Sequence, residues 1–409
     1  MKLKVTLLLL LLMSIQLLIA QTTPSQSMDD FIEQKGNGFE VAYEKKDVEG
    51  YNALLSEYLM IYEKLSADDK KQYSHWLSNI YYNLSCIYSI SNDKKSAITS
   101  LKKAIDAGYN DYGRVQLDSD LDNIRKEKDF VALNSKLKLT GDYLFILKTA
   151  KNYNDSNNGF PKFEYQSMSN PNLVTIRKEL KLDSIAGTGS EISRILNLMN
   201  WLHYLIPHDG RHANPAIKNA LNMITVCKKE GRGLNCRGLA TVLNECYLSL
   251  GIKSRFITCL PKDTADPDCH VINMVYSNDL NKWIWIDPTM NAYVMNERGE
   301  LLGIEEVRER LINGKPLILN PDANWNRQET QNKQYYLEHY MAKNLYRLEC
   351  PIISEYDTET PNDDKVVKYA QLLSIDDQNN YIEGSKAKSK KKVVHKTRNP
   401  KIFWAKPAN

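Results

Sequence analysis

The 409-residue sequence contains one long hydrophobic run, and that run lies at the N-terminus. No later segment is apolar enough to span a bilayer, which takes about 20 apolar residues in a helix. Residues 5–20 are uncharged, follow Lys2 and Lys4, and end at the small residue Ala20 before the polar stretch 21–23. A short basic region, an apolar core and a small residue before polar residues predict a secretory signal peptide.

We therefore expect residues 1–20 to be removed at export and the mature protein to be secreted or periplasmic. The uncharged run is shorter than a membrane span, so a permanent anchor is the weaker alternative. No cysteine follows the apolar run, so a lipid anchor at a new N-terminal cysteine is not expected either. After cleavage we expect no membrane attachment.

The sequence also lacks a strong excess of either charge, with 54 basic and 50 acidic residues. Seven of the basic residues fall between Lys386 and Arg398, a stretch without any acidic residue. The remainder of the mature chain is therefore slightly acidic. A nucleic-acid-binding protein needs a basic face on its folded body, so nucleic acid is not an expected partner. The basic run itself is interpreted as a solvated linker or edge.

Metal-binding patterns are missing as well. The seven cysteines form no paired Cys-x-x-Cys, and no Asp-x-Asp-x-Asp-Gly calcium loop is present. His203, His208 and His212 are separated by a proline and a glycine turn and share no helix face, so they are not expected to bind a metal. We predict no cofactor. An odd cysteine count leaves at least one thiol free in an oxidising compartment; a bridge between Cys259 and Cys269 is suggested only by their proximity.

Residues 28–140 are predicted to be helical. Within residues 76–109, two apolar stripes at helical spacing flank a Ser-Asn-Asp turn, and their alternation of large and small residues resembles one tetratricopeptide repeat. Two interpretations remain open for this module. It either presents a surface for a protein partner or packs as a support for the next domain.

From residue 141 the pattern changes to mixed helix and strand, which predicts a second domain over 141–320 and a C-terminal segment over 321–409. An apolar run predicts a strand at Tyr143–Leu147, and spacing by three and four predicts a helix at Glu191–Tyr204. In the C-terminal segment we predict a helix at Glu329–Leu345 and strands at Cys350–Ile353 and Val366–Ser374. The predicted fold class is α+β.

Cys236 stands where a buried helix is predicted to begin. Gly233 and Asn235 precede it, apolar residues recur at helical spacing after it, and Gly251 ends the pattern. At a helix start, unpaired N–H groups and the helix dipole stabilise an anion, and the thiolate is the nucleophilic form of cysteine. The position therefore predicts a reactive thiol, whereas Cys246, in the middle of the same helix, is expected to be a core residue.

A histidine and an aspartate occur on a predicted β-hairpin downstream of this helix. His270 begins an alternating strand, a turn cluster lies at residues 277–280, and a second strand ends at Asp287. With either a two-residue or a four-residue loop centred on this turn, His270 is directly opposite Asp287. Opposed side chains have Cβ atoms about 5 Å apart. The hairpin thus predicts a His–Asp contact, as a catalytic imidazole requires.

These features together resemble the transglutaminase-like superfamily, whose members have a papain-like cysteine fold. The family's cysteine helix with a downstream Leu-Gly-Ile corresponds to Cys236 followed by residues 250–252. Its strand entry corresponds to Ser254-Arg255-Phe256-Ile257, and its Asp-Pro-Thr after a Trp-containing strand corresponds to residues 287–289. The family's frequent His-Ala-Trp reads His270-Val271-Ile272 here, which is a departure. The resemblance covers residues 190–320, about a third of the chain.

The resemblance implies a catalytic triad in which Cys236 is the nucleophile, His270 the general base and acid, and Asp287 the orienting carboxylate. It implies a protein or peptide amide substrate and a thioester intermediate, resolved by water in a peptidase or amidase or by a lysine amine in cross-linking. Hydrolysis is favoured because water needs no second binding site. The family's oxyanion-stabilising side chain is not assigned by sequence, although candidates lie within residues 208–214. A catalytically silent binding or scaffold protein is the alternative.

Overall fold

A computed structural model describes residues 23–150, 153–154, 159–264, 266, 268–362, 364–374, 386–388 and 392–407. The predicted signal peptide lies outside the described residues, as does the middle of the basic run at residues 389–391. The chain divides into two compact units, the first ending at Asp142 and the second beginning at Tyr143. No helix of these described segments has the length and apolarity needed to cross a membrane.

The N-terminal unit is helical. Its α-helices are α1 (Pro24–Glu44), α2 (Val48–Tyr62), α3 (Ala67–Ile90), α4 (Lys94–Asp106), α5 (Tyr112–Leu117) and α6 (Lys128–Gly141). The first four begin after Thr23, Asp47, Ser66 and Asp93, whose side chains each accept a hydrogen bond from the backbone N–H three residues later. Such N-caps satisfy N–H groups that have no partner inside the helix.

Helices α3 and α4 form the helix pair expected from the alternating large and small residues. Ala97, Leu101 and Ala104 of α4 are completely buried. Ser85 of α3 donates a hydrogen bond to the carbonyl oxygen of Ala97 at 2.7 Å, which the small side chains on both helices permit. The helix pair is therefore present, and its assignment as a tetratricopeptide repeat remains a prediction.

The C-terminal unit contains helices and a large sheet. Its α-helices are α7 (Tyr143–Thr149), α8 (Pro171–Glu179), α9 (Leu182–Ala186), α10 (Glu191–Leu205), α11 (Ala220–Glu230), α12 (Cys236–Ser249), α13 (Ile304–Ile312), α14 (Ala342–Asn344) and α15 (Pro400–Phe403). A π-helix spans Gln334–Met341. The strands are β1 (Glu164–Tyr165), β2 (Ser254–Leu260), β3 (His270–Ser277), β4 (Lys282–Ile286), β5 (Val294–Met295), β6 (Ile318–Leu319), β7 (Asn324–Trp325), β8 (Glu329–Thr330), β9 (Arg347–Pro351), β10 (Ile353–Ser354), β11 (Val367–Leu372), β12 (Lys386–Lys388) and β13 (Lys392–Thr397).

Seven strands form one mixed sheet in the order β12, β13, β11, β9, β2, β3, β4. Neighbouring strands are antiparallel except for the parallel pair β11 and β13. The boundary predicted at residue 320 falls inside this unit, since β9 and β11 follow that residue and extend the same sheet. The expected α+β fold class is confirmed by this arrangement of helices and sheet.

Both faces of the sheet are covered, because alternate residues of its strands enter different cores. Met274 of β3 and Trp285 of β4 pack in a cluster with Tyr336 of the π-helix. Val275 and Ile284 pack on the opposite face, in a cluster formed mainly by α8 to α12. Every residue of β3 is buried. The strand that begins with His270 is therefore held in place from both sides.

Two secondary-structure predictions are wrong. The apolar run Tyr143–Leu147, predicted as a strand, forms α7, because a short apolar run does not distinguish a buried strand from a buried helix by periodicity alone. The helix predicted over Glu329–Leu345 is divided, since β8 occupies its first two residues and the π-helix starts at Gln334. This division determines which tyrosines reach the site described below.

Candidate active site

Cys236 is the first residue of α12, at the position that the sequence pattern indicated. Asn235 caps the helix by accepting a hydrogen bond from the Gly238 N–H at 3.1 Å. Asn214 fixes this cap on both sides: its Nδ2 donates to the Asn235 side chain at 2.7 Å, and its Oδ1 accepts from the Asn235 N–H at 3.1 Å. A Cβ atom at Gly238 would lie 2.7 Å from the Asn214 Oδ1, so a larger residue there would displace the Asn214 side chain from this cap.

The Cys236 sulfur lies among hydrogen-bond donors. Burial alone would raise the pKa of the Cys236 thiol. Hydrogen bonds with His208 and His270 oppose that effect, as do the charge on His270 and the backbone N–H of Val271. The result is a pKa lowered to about 6, so that the thiolate is the main form at neutral pH. A thiolate of this kind is a competent nucleophile.

His270 is 1% exposed and pairs with Asp287, which is completely buried. The His270 Nε2 lies 2.7 Å from the Asp287 Oδ2, which leaves Nδ1 as the ring nitrogen that faces the thiol. Burial would lower the pKa of His270, but the charge and hydrogen bond of Asp287 and the hydrogen bond with Cys236 raise it to about 10. Between the two pKa values, cysteine and histidine form a thiolate–imidazolium pair.

Asp287 accepts hydrogen bonds on both carboxylate oxygens. Its Oδ2 also receives the Tyr336 hydroxyl at 2.6 Å, and its Oδ1 receives the backbone N–H of Thr289 at 2.8 Å. The Tyr336 oxygen in turn accepts from the Trp285 Nε1 at 3.2 Å. Burial would raise the pKa of Asp287, but the charge and hydrogen bond of His270 and the Tyr336 hydroxyl keep it below its usual range. The carboxylate therefore stays charged beside the imidazolium.

The predicted hairpin register is wrong by two residues. Met274 pairs with Trp285, and Ser277 pairs with Lys282, so the four-residue turn begins one residue later than expected. A slip of one residue would have moved a side chain to the other face, whereas a slip of two preserves the face. His270 and Asp287 accordingly share a face and are hydrogen-bonded, although they are not directly opposite each other as predicted.

Sequence reasoning left three side chains at this site unassigned. His208 contacts the sulfur of Cys236, and Tyr336 contacts Asp287. The ring of Tyr340 packs edge-on against His270 with the ring centroids 5.2 Å apart. The tyrosines lie four residues apart on the π-helix, so one face of that helix supports both members of the pair. His208 was within the candidate range 208–214, but no spacing rule singled it out.

The other predictions on histidine and cysteine have clear outcomes. His203 is buried and its ring nitrogens contact the carbonyl oxygen of Pro288 and the Asn324 side chain, each at 3.0 Å. Among the described residues the three upstream histidines form no cluster able to hold a metal ion. All seven cysteines are free thiols. The suggested bridge between Cys259 and Cys269 is absent. Cys259 lies directly opposite His270 and so shares the face of that residue rather than the face of its neighbour Cys269.

Comparison with known proteins identifies the domain. Residues 178–288, which include the cysteine, histidine and aspartate described above, match the family model of the transglutaminase-like superfamily. An 81-residue stretch is 37% identical to a chloroplastic protein from Arabidopsis thaliana, and covers 20% of this chain and 23% of that protein.

A crystal structure of a candidate cysteine protease from Cytophaga hutchinsonii aligns with 28% of this chain and 37% of that chain, at 19% identity and a TM-score of 0.22. The chain thus spans less than half the length of either protein. The second unit carries a transglutaminase-like domain at residues 178–288.

Proposed function

We propose that this chain is an exported cysteine hydrolase that cleaves amide bonds in proteins or peptides through a Cys236 thioester. The observation that supports the proposal most strongly is the contact series from Cys236 to His270 to Asp287, with the thiol at the start of a buried helix. A scaffold protein that had lost catalysis would not need a thiol whose pKa is lowered to about 6. The predicted signal peptide supports export.

The reaction divides into two balanced steps. The Cys236 thiolate adds to the amide carbonyl carbon; a bond from sulfur to carbon forms, and the electron pair of the carbonyl moves to oxygen. As the electron pair on oxygen re-forms the carbonyl double bond, the carbon–nitrogen bond breaks. The imidazolium of His270 gives its proton to the departing nitrogen. His270, now neutral, takes a proton from water, the resulting hydroxide attacks the thioester, and the carboxylic acid and the thiolate are released.

A primary amine in place of water would give a cross-linked amide by the same chemistry. To separate the two reactions, casein is incubated with the mature protein in ¹⁸O-water, with and without dansylcadaverine, and the products are identified by mass spectrometry. We expect ¹⁸O at new carboxyl groups and little incorporation of the amine. Cys236→Ala is the control and should form neither product.

Dominant amine incorporation would overturn the preference for hydrolysis and identify a transamidase. Failure to form either product, together with a Cys236 thiol no more reactive than free cysteine, would favour the scaffold alternative. The N-terminal helical unit is proposed to bind a protein partner or substrate, an assignment that rests on its helix-pair pattern alone.

A further inference from the structure

A cavity of about 450 Å³ in the second unit is lined by charged and aromatic side chains that take no part in the chemistry of Cys236. Helix α13 contributes Glu305, Arg308 and Glu309 to its wall, and the C-terminal segment contributes Trp404. Residues three and four apart on a helix are neighbours, with Cβ atoms about 5–6 Å apart. The two carboxylates and the guanidinium of α13 therefore line the cavity as one group.

Two hydrogen-bond donors in this wall lack a partner. The Arg308 Nη2 and the Trp404 Nε1 are both buried and form no hydrogen bond with any described residue. Arg308 is only 5% exposed and Trp404 only 8%, so bulk water does little to satisfy them. A buried donor without a partner is destabilising, and its presence in a folded protein calls for a bound molecule that accepts its hydrogen bond.

Two acceptors in the same wall also lack a partner. The carboxylates of Glu305 and Glu309 form no hydrogen bond or ion pair within the described part of the chain. Like charges four residues apart on a helix repel each other. Burial, together with the charges of Glu309 and Glu306, raises the pKa of Glu305 to about 7. A positive group between the two carboxylates would remove this repulsion.

The donors are held in place by contacts with other parts of the unit. The Arg308 Nε donates to the carbonyl oxygen of Leu345 at 2.9 Å, and its guanidinium lies 4.8 Å from the ring centroid of Tyr153. The carbonyl oxygen of Trp404 accepts the Trp283 Nε1 at 3.1 Å. Both side chains are thus positioned before any ligand arrives, which lowers the entropic cost of binding.

The mixture of charges restricts the class of ligand. An inorganic anion such as phosphate would be attracted by Arg308 but repelled by Glu305 and Glu309. A simple amine or a metal cation would be attracted by the carboxylates, but it would be repelled by the guanidinium and would leave both donors unpaired. A molecule with a carboxylate and an ammonium group close together satisfies both sets. The volume is in the range of small-molecule sites.

We propose that this cavity is a binding site for a free α-amino acid. The carboxylate of the ligand accepts hydrogen bonds from the Arg308 guanidinium and the Trp404 indole, and its ammonium group donates to Glu305 and Glu309. The rings of Tyr153 and Trp404 form the apolar wall for the side chain of the ligand. Binding at this cavity does not require that the second unit be catalytic.

Isothermal titration calorimetry of the mature protein with each of the twenty amino acids tests the proposal. The titrations are made at pH 8, where Glu305 is ionised. The tightest-binding amino acid is then compared with its N-acetyl derivative, which lacks the ammonium group, and with its amide, which lacks the carboxylate. We expect at least one amino acid to bind, and each derivative to bind about tenfold more weakly or worse, because each loses charge-assisted hydrogen bonds.

Variants identify the cavity as the place of binding. Glu305→Gln and Trp404→Phe should each weaken binding by about tenfold or more, the usual effect of losing a hydrogen bond to a charged group. Glu297→Gln is the matched control, because Glu297 pairs with Arg310 of the same helix and does not line the cavity. Cys236→Ala should bind the amino acid as wild type does.

Absence of binding by all twenty amino acids would overturn the proposal. Equal affinity for the N-acetyl derivative or for the amide would also overturn it, since the site would then recognise an anion or an amine alone. Equal weakening in Glu305→Gln and Glu297→Gln would exclude the cavity, and loss of binding in Cys236→Ala would place the ligand at the catalytic sulfur instead. If circular dichroism shows that Trp404→Phe is unfolded, the comparison of the two glutamine variants decides.

Discussion

A charged imidazole with 1% exposure requires compensating partners, because an unpaired charge in a protein interior is strongly destabilising. His270 has a carboxylate on one side and a thiolate on the other, and Asp287 is itself satisfied by a phenol and backbone N–H groups. Each group is stabilised in its charged form by the next. The site therefore depends on residues that never touch a substrate, and Tyr336 is the clearest of these.

Replacing Tyr336 with phenylalanine tests that dependence. The change removes the hydroxyl that donates to Asp287 and leaves the buried Trp285 N–H without its acceptor. We expect the free energy of unfolding to fall by about 1–3 kcal/mol, as for other buried hydrogen bonds to charged groups. Urea unfolding measures this loss. Tyr335→Phe, at an exposed neighbour on the same helix, is the control, and an equal loss there would contradict the role assigned to Tyr336.

At this scale the sequence allowed some contacts to be predicted and not others. Cys236 was recognisable because glycines, a cap residue and helical spacing are local signals. The His270–Asp287 contact was recognisable because strand alternation is preserved even when the register is misjudged by two residues. His208 was not, since the groups that orient it, Trp325 and Asn326, lie more than a hundred residues downstream and no local pattern brings them to it.

Among the secondary-structure elements, the β3–β4 hairpin is held by a helix as well as by the hydrogen bonds of its own turn. Glu191 of α10 accepts hydrogen bonds from the Ser277 hydroxyl at 2.7 Å, the Asn278 side chain at 2.8 Å and the Asp279 N–H at 3.0 Å. Asn281 completes the turn in a left-handed conformation, with φ 51°. This external contact explains why turn residues alone misplaced the register: the acceptor is more than eighty residues away in sequence.

Removing the Glu191 side chain should loosen this turn. We expect Glu191→Ala to lower the free energy of unfolding by about 1–3 kcal/mol, because three polar groups lose a charged partner. Burial would raise the pKa of Glu191, but its hydrogen bonds lower it below the usual value. A lowered carboxyl pKa contributes stability above the unfolded pKa, and this contribution is lost as the pH falls through the folded pKa.

The difference in the free energy of unfolding between wild type and Glu191→Ala should therefore be largest at pH 7. It should shrink below about pH 4, where a glutamate carboxyl protonates. Urea unfolding at several pH values measures it. Glu49→Ala, at an exposed glutamate in the first turn of α2, controls for the general effect of an acidic residue at a helix start. A difference independent of pH would contradict the hydrogen-bonding role of the carboxylate.

The π-helix shows a limit of sequence reasoning at the level of elements. A helix is predicted over residues 329–345, and most of that stretch is helical. The sequence does not reveal that the turns widen, which is common at functional sites. The wider turns place Tyr336 against Asp287 and Tyr340 against His270, so the element supports the catalytic pair through two side chains.

For the molecule as a whole, the two units have separate hydrophobic cores. The clusters of the N-terminal unit contain no described residue after Leu137, and those around the catalytic groups contain none before Tyr143. The candidate chemistry belongs entirely to the second unit. The division was recognisable in the sequence as a change from purely helical spacing to alternating patterns. The extension of the sheet by β9 and β11 was not recognisable, because it depends on long-range pairing that no local pattern specifies.

The seven cysteines differ sharply in their electrostatic surroundings. Six of them have a thiol pKa raised by burial. Cys236 alone among the seven, all of which lie in the described part of the chain, has its pKa lowered. The whole protein should therefore contain one fast-reacting thiol, and its identity and pH dependence bear directly on the proposed chemistry.

The most direct test is alkylation of the folded, mildly reduced protein with iodoacetamide between pH 5 and 9, with the modified cysteine identified by mass spectrometry. We expect one fast site, Cys236, with a rate that rises to half its maximum near pH 6, far below the free-cysteine pKa of about 8.5. Cys236→Ala should abolish the fast reaction, and His270→Ala should move the midpoint upward. A Cys236 that reacts only with a midpoint near 8.5, or a different cysteine as the fast site, would contradict the assignment of Cys236 as the nucleophile.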